Sequence, residues 1–502
     1  MLSPIDAEWS ILTAIVISII VLIWTAEKIR THYRLPTDAT RKFVHILVGV
    51  LLFFSPYLFR SPYPLVAASI LFVVLNAVGI RRGFFQGMHK TGDSTYGTVF
   101  YPLSFLILVL LFWPAHTIII QISVLIMALA DAGAAILGEA ISNAKLYRVG
   151  SERKSIQGSL TMAILSFVIV LAVLRFLPDP IIRELTLARM IWIGLLTAIM
   201  ATVLEAVSWR GSDNITVPLG AAFVLHFTLT QSAGGNLQFS LGFILAALLA
   251  AASHRLGALD AGGAIAAFVL GTAIFGIGGW AWGVPILAFF VSSSLLSRLW
   301  RDRKSQANLS YEKSSRRDLA QVLANGGMAG LSILIYYATN APYLYAAFLG
   351  TLAAVTADTW ATEIGGLSKS PRLITTLSTV LPGTSGAVSI PGTLAAMLGG
   401  LFIASSGFLF GSFLFENSLA IAILITVGGF LGSFVDSILG ATMQAQFRCT
   451  VCNKVTEKKV HCSGEKSVHI RGIRWINNDL VNTICALSGG LFVLLGLKVI
   501  TV

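Results

Sequence analysis

The chain has 502 residues, of which 56% are hydrophobic and only 12% charged, with a mean hydropathy of +0.81. That balance excludes a water-soluble enzyme or carrier and requires most of the chain to lie in lipid. The net charge of +12 would suit nucleic acid, but the basic residues fall between apolar runs, a distribution that reports topology, and no nucleic-acid partner is expected.

Spanning a hydrocarbon core takes about 20 apolar residues in a helix. Eight such runs precede the polar Gly234-Gly235-Asn236 stretch, near 11–30, 43–59, 64–80, 96–112, 117–140, 159–177, 187–208 and 214–230. Eight more follow, near 239–253, 262–278, 282–300, 322–338, 343–366, 387–408, 419–443 and 479–498. They are apolar on every side, unlike the alternating segments of a barrel. The expectation is an all-α integral membrane protein of about 16 segments in two tandem helical bundles, 1–233 and 237–502, the second with an insertion near 445–476. Gly276-Ile277-Gly278-Gly279 reads as a turn or a helix-packing position. Asp6 and Glu8 precede the first run, so it is expected to stay as a helix rather than serve as a cleaved signal. With the N-terminus outside, all of the 35 Lys and Arg except Arg60, Arg175, Arg183, Arg189 and Lys498 fall in inside loops. This points to sites facing the cytosol, in the plasma membrane of a prokaryote.

The two halves share motifs in the same order. Ala130-Asp131-Ala132-Gly133-Ala134-Ala135-Ile136-Leu137-Gly138 corresponds to Ala357-Asp358-Thr359-Trp360-Ala361-Thr362-Glu363-Ile364-Gly365. Ser155-Ile156-Gln157-Gly158 corresponds to Ser389-Ile390-Pro391-Gly392, Glu205 to Asp436, and Asp213-Asn214 to Asn478-Asp479. An even number of spans per half makes this a parallel repeat. Glu205 to Asp213 is a short step, whereas Asp436 to Asn478 is a long one.

Carboxylates in apolar spans cost several kcal/mol unless paired or hydrated, so Asp131, Glu205, Asp358, Glu363 and Asp436 are functional candidates. Hydroxyls, amides and cations stand nearby in Lys154 to Ser159, Asp213-Asn214, Pro382 to Ser389 and Asn477 to Asp479. Hard oxygens of this kind suit Mg²⁺ carried by a nucleotide, and cations neutralise phosphoryl-transfer charge. The chain has no G-x-x-x-x-G-K-[ST] sequence, which excludes a Walker phosphate loop. His45, beside Arg41 and Lys42, is either a phosphate contact or a plain interfacial histidine.

Of the 4 cysteines, Cys449, Cys452 and Cys462 lie in the insertion. With His461 or His469 they would supply four ligands for a structural Zn²⁺, a metal-free loop or redox pair being the alternative. Cys485 lies in an apolar run and reads as packing.

These motifs carry a resemblance. Arg41-Lys42-Phe43-Val44-His45, Asp131-Ala132 with Gly138, Lys154-Ser155-Ile156-Gln157-Gly158-Ser159 and Asp213-Asn214-Ile215-Thr216-Val217-Pro218 resemble the CTP-dependent phytol kinase and dolichol kinase family. Gln157 departs from that pattern where Glu is frequent, as does Glu139 where a basic residue is frequent. The second half resembles the transmembrane-protein-19-like family, which includes phytyl-phosphate kinase. The residues that carry this are Arg317 with Gln321-Val322-Leu323-Ala324-Asn325-Gly326-Gly327, Ala357 to Gly365, Pro371-Arg372, Gly383-Thr384-Ser385-Gly386, Asp436-Ser437 and Trp475 to Asn482.

Together the resemblances imply that the first half phosphorylates an isoprenoid alcohol and the second adds another phosphate, with a nucleoside triphosphate (CTP) as donor. They imply catalytic roles for Asp131, Asp213, Asp358, Asp436 and Asp479, and Mg²⁺ ligation by Glu205 and Glu363. Phosphate binding would fall to Arg41, Lys42, Lys154, Ser155, Ser159, Asn214, Arg317, Asn325, Thr384, Ser385 and Asn478. The alternatives are a transporter or flippase of lipid phosphates, and a CTP-dependent lipid cytidylyltransferase.

Overall fold

A backbone in lipid must satisfy its own N–H and C=O groups, so each apolar run closes into a helix. The computed structural model describes residues 4–34, 37–82, 95–141, 143–150, 152–299, 316–411, 418–457, 459–462 and 464–500. Among them the chain forms two compact units, Met1–Asn236 and Leu237–Val502.

In the first unit the long helices are α1 (Pro4–Tyr33), α2 (Thr37–Phe53), α3 (Tyr63–Arg82), α4 (Gly97–Phe112), α5 (Thr117–Ala140), α6 (Ile156–Phe176), α7 (Leu187–Val207) and α8 (Asp213–Thr230). Each corresponds to an expected run. The run at 43–59 is corrected: α2 begins six residues earlier, because its polar first turns are helical but not apolar, and ends at Phe53, followed by the single turn Ser55–Leu58. An antiparallel hairpin of β1 (Leu146–Val149) and β2 (Glu152–Ser155) leads into α6. The core is aliphatic and centres on α5, whose Ile118, Ile119, Ile120 and Ile122 are fully buried.

α9 (Ala233–Arg255) starts in the last residues of the first unit and continues into the second, which also holds α10 (Ala261–Leu299), α11 (Leu319–Thr339), α12 (Tyr343–Gly365), α13 (Ile390–Gly411), α14 (Ser418–Thr442) and α15 (Asn478–Ile500). Gly234-Gly235-Asn236 falls in the first turn of α9. The runs at 262–278 and 282–300, expected as separate spans, are two helices that meet at Gly279 within Ala261–Leu299, together labelled α10. Gly279 has φ 61°, a conformation that only glycine adopts cheaply, so the first helix ends there and the second sets off in a new direction. Gly276 also serves packing, since a Cβ on the facing Gly242 would lie 2.6 Å from the Gly276 nitrogen. A two-residue hairpin of β3 (Arg372–Leu373) and β4 (Ala387–Val388) precedes α13. The insertion carries a three-stranded sheet of order β6-β5-β9, from β5 (Gln446–Arg448), β6 (Val455–Thr456) and β9 (Val468–Arg471). A second hairpin there joins β7 (Val460–His461) and β8 (Glu465–Lys466). Tyr345, Phe348 and Trp282 pack at the centre of this unit.

The same local joint occurs in both units. In the first, Gly138 near the end of α5 meets Gly158 at the start of α6, and Ser155 caps α6 by accepting from the Gly158 nitrogen at 3.1 Å. In the second, Gly365 meets Gly392, and Ser389 accepts from the Gly392 nitrogen at 3.3 Å. A Cβ on Gly158 would lie 3.1 Å from the Ala134 carbonyl oxygen, and one on Gly392 would lie 3.1 Å from that of Ala361. Gly158→Val and Gly392→Val should therefore each cost about 1–3 kcal/mol, seen as a lower thermal transition in detergent. Unchanged transitions would show that the two helices can part freely.

Candidate functional site

In the first unit the ionisable residues converge. α5 contains a π-helical turn, Ile126–Ala130, immediately before Asp131. Such turns disturb the helical hydrogen-bond ladder and recur at functional positions. Here His45 Nε2 donates to the Met127 carbonyl at 2.9 Å, which assigns the proton to Nε2, and the Tyr101 hydroxyl donates to the His45 carbonyl at 3.1 Å. Asp131 lies within electrostatic range of Asp213, Glu205, Lys154 and Arg41. Glu205, near the end of α7, is buried and accepts from Lys154 Nζ at 2.5 Å through Oε1, while Oε2 is buried without a hydrogen-bond partner. Asp213 Oδ1 accepts from the Asn214 nitrogen (3.0 Å) and Nδ2 (3.2 Å), and Asn214 Oδ1 is likewise buried and unpartnered.

Arg41, His45, Tyr101, Asp131, Lys154, Glu205, Asp213 and Asn214 all line one cavity of about 1210 Å³. Its polar end is set by the C-terminal part of α1 (Glu27, Arg30), the start of α2 (Arg41, Lys42), Asp131, Lys154, Glu205 and Asp213. Leu12, Ile15 and Ile19 of α1, Leu51 of α2, Leu71 and Leu75 of α3 and Phe105 of α4 wall the remainder. The volume exceeds the roughly 300–1,000 Å³ usual for small-ligand pockets.

Three expected phosphate contacts are held by the protein itself. Lys42 pairs with the exposed Glu139 at 2.7 Å, Ser155 is the α6 cap, and Ser159 shares a 2.6 Å hydrogen bond with the Tyr147 hydroxyl. Burial by itself would lower the Lys154 pKa, but the Glu205 carboxylate outweighs it and holds the ammonium above its ordinary value. Lys154→Met should destabilise the chain by about 3 kcal/mol, because Glu205 would be left charged and uncompensated. Lys154→Met combined with Glu205→Gln should recover most of the melting temperature, and failure to recover would mean that the pair contributes through other contacts.

In the second unit Asp358 on α12 and Asp436 on α14 are in side-chain hydrogen-bond contact, and Asp436 Oδ2 is buried without a hydrogen-bond partner. Two carboxyl groups this close need a shared proton or a cation between them. Glu363, one turn on from Asp358, accepts from Ser297 Oγ at 2.9 Å. Asn478 and Asp479 open α15, where Asn478 Oδ1 accepts from Gln444 Nε2 at 3.5 Å. Arg317 lies with its guanidinium 5.8 Å from the Phe289 and Phe290 rings, and Asn325 is half-buried on α11. Thr384 donates within its own turn to Leu381. Ser385 donates to Glu457 Oε1 at 2.6 Å, a residue of the insertion within electrostatic range of Asp436. Sequence reading misses Glu457, because nothing in its spacing connects it to an aspartate in α14.

The insertion brings Cys449, Cys452, His461 and Cys462 together, with ligand atoms all within 4.8 Å of one another. His461 Nδ1 lies 3.5 Å from Cys452 Sγ and 3.2 Å from Cys462 Sγ. His469 is excluded from the cluster; it packs edge-on to Phe447 across the β5-β9 pair. Backbone hydrogen bonding, first from Cys452, pulls the Cys449 thiol down to about 6, whereas its hydrogen bond with Cys452 pushes Cys462 up to about 11. Cys485 is buried within α15.

Comparison with known proteins adds kinship. Residues 244–490 match the family described as integral membrane protein DUF92. Protein PGR of Arabidopsis thaliana is 32% identical over 274 residues, 50% of this chain and 93% of that protein. A phytol kinase of Synechocystis sp. is 31% identical over 204 residues, 40% of this chain and 84% of that protein. Protein VTE6, chloroplastic, of Arabidopsis thaliana is 28% identical over 243 residues, 47% of this chain and 65% of that protein. No solved structure matches. With a chloroplast protein among them, the relatives do not single out a prokaryotic plasma membrane.

Proposed function

This chain belongs to the integral membrane protein DUF92 family, and from that premise we propose that it is a bifunctional isoprenoid-alcohol kinase and isoprenyl-phosphate kinase. The substrate would be an alcohol such as phytol or geranylgeraniol, the product its diphosphate, and the donor CTP. The observation that carries the reading is the first unit's cavity, which joins an acid-and-cation end to an apolar end bounded by membrane helices. A prenyl chain fits the apolar end and a triphosphate the charged one.

In the first step the alcohol oxygen forms a bond to the terminal phosphorus of the triphosphate, and the bond to the nucleoside diphosphate breaks. The hydroxyl proton passes to Asp131 or Asp213. Arg41 and Lys154 offset charge on the transferring group, which is where most of the catalysis of phosphoryl transfer arises. Mg²⁺, when bound, would supply positive charge to offset that of the nucleotide phosphates. The hard oxygens of Asp131, Asp213, the unpartnered Glu205 Oε2 and Asn214 Oδ1 fit that ion in the first unit, and the Asp358 and Asp436 carboxylates fit it in the second. In the second step an oxygen of the monophosphate forms a bond to the terminal phosphorus of another nucleoside triphosphate, and the bond to the nucleoside diphosphate breaks. The monophosphate stays in the membrane, so two sites on one chain raise its effective concentration.

The test uses membranes containing the protein, Mg²⁺, a prenyl alcohol and CTP labelled at the terminal phosphate, with lipid products resolved by chromatography. Labelled prenyl mono- and diphosphate are expected. A CDP-lipid would assign a cytidylyltransferase. No phosphorylated lipid with any nucleotide would defeat both kinase steps and return the transporter reading.

A further inference from the structure

The insertion between α14 and α15 contains a ligand cluster and a carboxylate that the chemistry above leaves unused. We propose that Cys449, Cys452, His461 and Cys462 bind one structural zinc ion, which holds Glu457 in the second site as a third carboxylate latched to Ser385.

The donor set fits. Three thiolates and an imidazole select zinc over the hard cations, and four protein ligands close the sphere, as in a structural site. Ligands about 2.3 Å from a tetrahedral ion lie about 3.8 Å from one another, and the four ligand atoms here, all within 4.8 Å of one another, reach that spacing by small side-chain shifts. The local backbone is already shaped for it. The Val451 nitrogen donates to Cys449 Sγ at 3.4 Å, Asn453 turns the chain at φ 57°, and Cys462 at φ 31° lets neighbouring His461 and Cys462 face the same point.

The site also answers a stability problem. Strands β6, β7 and β8 have two residues each, too few to hold a fold by pairing alone. β6 belongs to the sheet with β5 and β9, β7 pairs with β8, and among the described residues no strand pairing joins β6 to β7. A metal bound by Cys452 before β6 and His461 in β7 closes that loop. Glu457 sits inside it, accepts from Ser385 Oγ at 2.6 Å and lies within electrostatic range of Asp436. The zinc would act on the second site only through the placement of Glu457, which makes the metal module a positioning device.

The role given to Glu457 rests on the second unit being the prenyl-phosphate kinase, whereas the zinc assignment does not. The test uses the full chain purified in detergent, with three readouts: zinc per chain by mass spectrometry, amide exchange of residues 383–386, and conversion of supplied prenyl monophosphate to diphosphate. Wild type should carry one zinc. Cys452→Ser should lose it, exchange faster at 383–386 and convert monophosphate at least tenfold more slowly. Glu457→Gln should keep the zinc but show the same faster exchange and slower conversion, and both variants should make monophosphate from alcohol at the wild-type rate. Zinc-free wild type, unchanged exchange in Glu457→Gln, or unchanged conversion in either variant would overturn the proposal. A zinc-loaded wild type that converts no monophosphate would defeat the kinase reading of the second unit, and zinc content with exchange would still decide the latch.

Discussion

Asp131→Asn should reduce conversion of prenyl alcohol to monophosphate by about 10³-fold, the scale of losing one preorganised electrostatic contact to a transferring group. Asparagine keeps the shape but can neither take the hydroxyl proton nor contribute charge to a cation. Asp131 follows the π-helical turn directly, so its placement depends on a local distortion that the substitution leaves intact. Asp213, Glu205, Lys154 and Arg41 all lie within electrostatic range of it. The loss should appear in kcat more than in KM, because the contact strengthens as the phosphoryl group moves. Conversion of supplied monophosphate should continue at the wild-type rate. Equal loss of both steps in a folded variant would mean that the two units do not divide the labour, and undiminished first-step activity would remove Asp131 from the chemistry.

The helices were largely legible because lipid imposes a length, and a run of apolar residues states that length directly. Legibility failed where another rule decided. The start of α2 escaped a hydropathy reading because a helix continues through polar residues at the interface, whereas the break at Gly279 was legible as glycines between two apolar runs. Pairing in the sites was less readable. Lys154 and Glu205 are far apart in sequence, and each was expected to face a ligand, yet they meet each other. The glycine joints were half visible: matching serines and glycines stood in both halves, but only the close approach of Gly138 to Gly158 and of Gly365 to Gly392 gives their physical reason. A side chain there would separate the acid-bearing helix from the next one. Glu457 was invisible because its partner, Ser385, belongs to a distant loop.

Asp358→Asn should cause monophosphate to accumulate from supplied alcohol, with the diphosphate reduced by about 10³-fold for the same electrostatic reason. The effect should be larger than for a lone exposed carboxylate, because Asp358 and Asp436 are in contact and act as one group: a shared proton or cation is lost with either. Asp436→Asn should therefore match Asp358→Asn, and the double variant should be little worse than either single one. The unpartnered Asp436 Oδ2 adds a second reason, since a buried oxygen without a donor is ready for a cation. The measurement is the ratio of labelled mono- to diphosphate over time. Losses that multiply in the double variant would show two independent aspartates, and a ratio that stays at the wild-type value would place the second phosphorylation elsewhere in the chain.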